Sequence, residues 1–464
     1  MKNKKILLGL TALLSIGVAS TLASCAVDNR IQVVFWHTMG KANQEKLNAM
    51  IETFEAAHPD IHINHEQQGG YTDIESKIRK AIPARTVPTM AFCYADHVAG
   101  YGSNTVDMTP YINDPEIGLS AEELADYIPG YWSEGSEYIR EGFYSAPYSK
   151  STEVIFYNKT FFEEHDLPLP TKWESDDPND LTAMWNLCRE IKKIAAEEGI
   201  TDVVPLGYDS DDNMYITLSA QYGIPYTSIV DGKGSFDFNN DEAKALVKRL
   251  KGYYDEGLFK TKGTLPNQQY TSTLFKNQKL FMSIGSTGGT SYNIPAKDSD
   301  GIYDFDAGVA MLPQQNPERS YIISQGPSIC FFKNSKISEE QVRASWLFYK
   351  HITTPENSAM YSILTGYEPV RTSSYETDEY KAHLAKLGTD KETLYTRVAS
   401  LTSTPAVREA YFSSPAFQGS STARQQCGGI ITLVMYEDAT KVNIDEKIDE
   451  IFEDAAEECR IAAL

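Results

Sequence analysis

Apolar and polar positions follow two different periods along this chain. Ile31-Gln32-Val33-Val34-Phe35 is a mostly apolar run of strand length, and Leu47, Met50, Ile51 and Phe54 follow at helical spacing until His58-Pro59 stops the helix. Ile61-His62-Ile63 alternates as a second strand. Strand, helix and strand in this order seed a parallel sheet with helices on its faces. The pattern repeats as a helix over residues 71–81, breakers at Pro83 and Pro88, and a strand over 89–94. Farther on, Tyr144-Ser145-Ala146-Pro147-Tyr148 leads into Glu153-Val154-Ile155-Phe156-Tyr157, a strand that opens polar and turns apolar. Amphipathic helices are predicted over residues 179–198, 241–256 and 338–366, the last interrupted at Pro355, and Ile448, Ile451, Phe452 and Ala455 mark a final helix. Phe281-Met282-Ser283-Ile284-Gly285-Ser286 reads as a strand entering a glycine-rich turn at Gly288 and Gly289. At roughly 100–200 residues per domain, the 464 residues suit two large α/β lobes with intertwined connectivity.

Charge narrows the functions open to such a fold. The formal net charge is −22, from 42 Lys and Arg against 64 Asp and Glu. Non-specific attachment to nucleic acid or to an anionic lipid surface rewards positive charge, so neither is expected as a partner. A small anion needs only one well-placed cation and stays open. The first residues add an address. Lys2, Lys4 and Lys5 precede a largely apolar run from Ile6 to Ala19, shorter than the roughly 20 residues a bilayer span takes. Leu22-Ala23-Ser24-Cys25 follows, completing an export signal. A cysteine directly after Leu-Ala-Ser resembles the bacterial lipobox. Residues 1–24 are therefore expected to be a signal peptide, Cys25 the lipidated new N-terminus, and 25–30 a tether. Two or more acyl chains on one residue anchor stably. The other cysteines, Cys93, Cys188, Cys330, Cys427 and Cys459, are irregularly spaced without a C-x-x-C. They read as small buried hydrophobes rather than a disulfide framework or zinc cage.

Catalytic chemistry finds little support. Glu122-Glu123, Asp176-Asp177 and the acids from Asp209 to Asp212 sit among turn-like polar residues. No local pattern singles out two carboxylates facing one bond, as a glycosidase requires. Asp209-Ser210-Asp211-Asp212-Asn213 lacks the sixth-position glycine of a calcium loop. His62 and His65 fall on opposite faces of a strand, and no metalloprotease, nucleophile-elbow or phosphate-loop motif occurs. No catalytic residue, metal site or cofactor is expected. The stretch from Gly285 to Thr290 reads either as a tight turn or as backbone N–H groups and hydroxyls facing a ligand. Tyr71, Tyr94, Tyr148 and Tyr367 each lie beside turn residues. A tyrosine joins a flat apolar face to a hydroxyl, the mixture that polyol recognition in a concave site needs.

Four blocks in order resemble the extracytoplasmic solute-binding proteins of ABC importers, extracellular solute-binding family 1, and within it the carbohydrate group that includes the glycerol-3-phosphate-binding protein. They are Phe35-Trp36-His37-Thr38-Met39 with Phe54-Glu55-Ala56-Ala57-His58-Pro59-Asp60; Pro147-Tyr148-Ser149-Lys150-Ser151-Thr152-Glu153-Val154 with Tyr157-Asn158-Lys159; Phe281-Met282 with Gly285-Ser286-Thr287-Gly288; and Pro355-Glu356-Asn357-Ser358-Ala359 with Thr365-Gly366-Tyr367-Glu368-Pro369-Val370. The resemblance implies two α/β lobes of the periplasmic-binding-protein type, with parallel or mixed sheets, crossing hinge segments and a ligand cleft that closes by hinge motion. The implied partition is 31–148 plus 286–330 for the first lobe and 149–285 plus 331–464 for the second. Matching the glycerol-3-phosphate pattern position by position gives Tyr71, Ser151, Ser286, Gly326 and Tyr367 as ligand contacts, with Arg424 as the anion-binding arginine. The branch's glutamate falls on Ala95, and Asp96, one residue on, takes its place as a candidate. Lys150 stands where a small hydroxyl residue is usual, so it either adds a cation to the cleft or points away.

The function this resemblance implies is a monomeric, exported, lipid-anchored receptor facing the periplasm or exterior. It captures a sugar or a sugar or polyol phosphate and hands it to the transmembrane subunits of an ABC permease, breaking no bond. Service to a chemoreceptor would use the same cleft. The alternative from another class is a secreted lipoprotein glycosidase using a carboxylate pair.

Overall fold

A computed structural model describes residues 28–316 and 318–464. The expected signal peptide and the lipidated Cys25 lie outside the described residues. The strand–helix–strand start holds. Ile31–His37 runs parallel to Ile61–Gln67, and the helix Lys41–Ala57 between them buries Leu47, Met50, Ile51 and Phe54. That one apolar stripe pins the helix to the sheet face. Met90–Cys93 adds a third parallel strand on the other side of Ile31–His37. Ser328–Phe331 then pairs antiparallel with Met90–Cys93 and with Ala146–Pro147. The first sheet therefore runs Ile61–Gln67, Ile31–His37, Met90–Cys93, Ser328–Phe331, Ala146–Pro147. Met90–Cys93 and Ser328–Phe331 are buried at every position, as central strands covered on both faces must be.

The second sheet has the order Ala307–Met311, Glu153–Asn158, Leu280–Ser286, Val204–Tyr208, Phe259–Thr261. Leu280–Ser286 lies parallel to Val204–Tyr208 and antiparallel to Glu153–Asn158. Side-chain alternation splits this sheet's two cores: Ile155 faces the larger cluster with Leu206 and Ile284, while Val154 and Phe156 face a smaller one with Phe275 and Val398. The five cysteines among the described residues are buried free thiols.

Two segments cross between the lobes and a third lies against them. Residues 148–152 join Ala146–Pro147 to Glu153–Asn158. Residues 324–327 lead back to Ser328–Phe331, and 366–371 leave the helix Pro355–Thr365. They are knitted together: Ser151 pairs with Gln325 and Lys150 with Glu368, both in antiparallel bridges.

The implied partition needs correction at two places. Ala307–Met311 pairs with Glu153–Asn158, so the stretch after residue 286 stays with the second lobe until the crossing at 324. The helices Glu339–Ile352 and Pro355–Thr365 belong to the first, because Val342, Trp346, Phe348, Ile352 and Tyr361 complete its core. An extra edge strand and a returning helix pair shift each boundary.

Local expectations fail in smaller ways. The helix Tyr71–Ala84 carries Pro83 in its last turn and stops only at Arg85, whose φ of 56° ends it. A proline there forfeits one hydrogen bond near the helix end, so the helix continues through it. The helix expected from 179 begins at Met184, because Asp180 instead holds the Thr182 hydroxyl and the Lys172 ammonium. Pro355 divides 338–366 into two helices, serving as first residue of the second with Thr354 as its cap.

Candidate functional site

A cleft of about 810 Å³ lies between the lobes. Gly70, Tyr71, Thr72, Asp73 and Tyr94 line it from the first lobe. Glu153, Asp209, Asn213, Lys262 and Ser286 are among the second lobe's contributions, and the crossings with the segment against them supply Ser151, Gln325 and Tyr367. Tyr94, Ser210, Asn213 and Gln325 also border an inner chamber of about 130 Å³, whose other walls include Asp96, Glu134, Tyr226, Gly326 and Arg424.

Tyr71 opens its helix directly after Gly69-Gly70, and its ring stacks on Tyr94 with centroids 4.3 Å apart and planes 24° from parallel. Tyr367 follows Gly366, which ends the helix Pro355–Thr365 with a φ of 80°. A side chain at Gly366 would collide with the Thr287 carbonyl, and one at Gly288 would meet the Tyr367 ring. Both glycines let the segment 366–371 nest against the turn after Leu280–Ser286. Burial pushes the phenols of Tyr71, Tyr94 and Tyr367 up from their ordinary range, so all three keep their protons at neutral pH. Ser286 caps the turn Thr287–Asn293 by accepting the Gly288 N–H at 3.1 Å, which leaves its O–H free to donate. Gly326 sits at φ 102°, where a Cβ would stand 2.6 Å from the Ser149 carbonyl oxygen; it is required by the packing of the crossings.

The seven candidates thus divide. Tyr71, Ser151, Ser286 and Tyr367 line the main cleft, whereas Asp96, Gly326 and Arg424 line the inner chamber. The Arg424 guanidinium is heavily engaged. Its Nε donates to Asp96 Oδ2 at 3.0 Å, and Nη1 donates to Asn213 Oδ1 at 2.8 Å and Asp212 Oδ2 at 3.3 Å. Asp96 belongs to the helix Ala95–Tyr101 of the first lobe, and Arg424 to Ser420–Tyr436 of the second, so this ion pair spans the cleft. Burial pushes the Asp96 carboxyl up, but the His97 and Arg424 charges outweigh it and hold it below its ordinary value. Burial works against the Arg424 charge as well, and Asp96 and Asp212 more than offset it. A second tie stands beside this one: Ser421 Oγ donates to the buried Glu75 of the first lobe at 2.9 Å.

Lys150 points away from the cleft. Its Nζ is buried and donates to Glu134 Oε1 at 2.7 Å and Ser328 Oγ at 3.2 Å. Tyr148 is also no cleft residue; it is buried between Phe92 and Tyr361. His62 pairs with Glu55 while His65 contacts Asn48, so the two histidines do not converge.

Sequence reasoning missed Glu153, Asp209, Asn213, Lys262 and Gln325. Glu153 is 1 % exposed and accepts from the Tyr208 hydroxyl at 2.6 Å and from Asn213 Nδ2 at 3.1 Å. Burial pushes it up to about 8, against the pull of those two bonds. Asp209 is likewise raised by burial; one of its oxygens accepts from the Thr271 N–H and hydroxyl. The available signal was an acid opening the otherwise apolar strand at Glu153. Lys262 lies over the Tyr270 ring, 4.0 Å from its centroid.

A family model described as "Bacterial extracellular solute-binding protein" matches residues 49–387. The sn-glycerol-3-phosphate-binding periplasmic protein of Salmonella paratyphi A is 24% identical over 387 residues, covering 80% of this chain and 82% of that one. Among solved structures, UgpB from Mycobacterium tuberculosis in complex with glycerophosphocholine superposes with a TM-score of 0.71 at 16% identity, over 93% of this chain and 99% of that chain. The maltose-bound MalE3 of T. maritima gives 0.68 at 15% identity, over 91% and 98%.

Proposed function

This chain belongs to the bacterial extracellular solute-binding proteins, and from that premise we propose that it is the receptor of an ABC importer, binding a sugar or a sugar or polyol phosphate between its lobes. Members of the family bind substrate and pass it on; here too the ligand leaves chemically unchanged. The observation that carries this reading is the 810 Å³ cleft walled by both lobes and by the crossings between them. Its size lies within the range of small-molecule sites. Its tyrosine faces suit sugar C–H surfaces, and its hydroxyls and carboxylates suit sugar O–H groups. Tyr71 and Tyr367 cover the ligand, Ser151 and Ser286 exchange hydrogen bonds with it, and Gly326 borders the inner chamber. Because both lobes touch the ligand only when closed, binding draws the population toward the closed state.

The receptor is exported and held at the membrane through acylated Cys25, with no other membrane contact. The tether raises its effective concentration near the permease. It works as a monomer. Among the described residues no helix is long and apolar enough to cross a membrane.

The test is a calorimetric and thermal-shift screen of neutral and phosphorylated saccharides. A true ligand at a hundred times its Kd stabilises the fold by about 2.7 kcal/mol, and mass spectrometry recovers it intact. Release of a hydrolysed product would instead support the glycosidase alternative.

A further inference from the structure

We propose that Asp96 and Asp212 are specificity-determining residues: by occupying Arg424 they turn the inner chamber against phosphate and commit the cleft to uncharged saccharides. This rests on the receptor reading above. An arginine is the side chain best suited to grip phosphate, through two parallel N–H···O bonds from its planar fork. In Arg424, Nε and Nη1 already serve Asp96, Asp212 and Asn213. Nη2 serves neither carboxylate, but a two-bond grip on phosphate also needs Nε or Nη1, and so must displace Asp96 from the one or Asp212 and Asn213 from the other.

The surroundings oppose that exchange. Glu134 also borders the chamber, but its charge is met by Lys150 at 2.7 Å. Around the adjoining cleft stand Asp73 and Asp209, with Lys262 the one basic side chain among its described lining residues. Whether displaced or not, Asp96 and Asp212 would face the incoming dianion as like charges in a partly desolvated space, where such repulsion is poorly screened. A sugar hydroxyl meets no such barrier, because it donates to carboxylates as readily as it accepts from amides.

The Asp96 bond adds a second consequence. It joins the lobes, so an anion that took Arg424 would also loosen the closed state that holds the ligand. A neutral ligand leaves the tie intact. Asp96 and Asp212 therefore act on affinity through the charge left on Arg424.

Matched pairs test this: glucose with glucose 6-phosphate, maltose with maltose 1-phosphate, and glycerol with sn-glycerol 3-phosphate, titrated into the purified protein. In each pair that binds, the uncharged member is expected to bind at least about tenfold more tightly, the equivalent of one properly placed charge interaction. In the Asp96→Asn/Asp212→Asn variant the preference shifts toward the phosphorylated member by about tenfold or more. If that variant does not fold, Asp96→Asn alone, followed by its thermal shift with inorganic phosphate, gives the same answer: stabilisation absent from the unaltered protein. Tighter binding of the phosphorylated member by the unaltered protein overturns the inference, as does a preference unchanged in folded variants. If none of the six compounds binds, the receptor reading for these ligand classes falls and this inference falls with it.

Discussion

Two buried ion pairs, one in the hinge and one across the cleft, use the same chemistry for opposite ends. Lys150, in the first crossing, is bonded to Glu134 and Ser328, both of the first lobe. Arg424 and Asp96 come from different lobes and meet across the cleft. The hinge pair fixes the geometry of the crossing strands. The cleft pair ties one lobe to the other across the space a ligand would enter. The lesson is that a buried charge pair belongs to the fold or to the function according to whether its partners ride on one rigid body or on two.

The largest effect expected is on the hinge. Lys150→Ala leaves Glu134 buried without its cation, and urea unfolding should show a loss of about 3–5 kcal/mol, the usual cost of breaking a buried pair from one side. A loss below about 1 kcal/mol would make the hinge pair equivalent to a surface pair and remove the contrast. Next comes Tyr367→Ala, which removes a wall of the cleft. Calorimetry should show ligand affinity falling by about tenfold or more while the melting temperature of the ligand-free protein stays near its original value. Unchanged affinity would take Tyr367 out of the binding surface.

The pH dependence sharpens the same comparison inside the cleft. Glu153 keeps its proton up to about 8 in the folded protein, against 4.5 ordinarily. A carboxyl raised in this way leaves the native state holding more protons than the unfolded chain, so its contribution to stability falls as pH climbs through that interval. Replacing it by glutamine should remove a slope of up to about 1.4 kcal/mol per pH unit between those limits. Thermal melts of the two proteins at pH 5 and pH 8 check this, and parallel curves would contradict it. The smallest effect belongs to Arg189, whose bond to Glu256 at 2.7 Å is largely exposed on both sides. Arg189→Gln should cost no more than about 1 kcal/mol by the same unfolding measurement; a larger cost would show that exposure does not separate these pairs.

Much of the first lobe was legible locally, because its strand–helix–strand start needs only periodicity and two breakers. The run around Ser151 and the turn at Gly366-Tyr367 carried the family pattern, and with Tyr71 and Ser286 they meet in one cleft. Position along the chain could not tell Tyr148 from the others: it too sits beside a turn, but its side chain packs into the first core between Phe92 and Tyr361. The lobe boundaries after residue 286 were illegible for a related reason. Whether Ala307–Met311 pairs with the first or the second sheet depends on a partner about 150 residues away, and local periodicity is the same in either case. The carboxylates were hidden among many. Asp209 and Asp212 read as solvated turn residues until the fold set one against Thr271 and the other against Arg424.

The account stands on lobes that close over a solute and release it unaltered. Small-angle X-ray scattering of the protein, with and without a saccharide shown by calorimetry to saturate it, measures this most directly. The account predicts a smaller radius of gyration in the saturated sample and, by mass spectrometry, the same saccharide mass before and after. A scattering profile that the bound saccharide leaves unchanged, or a saccharide recovered as fragments, would contradict it.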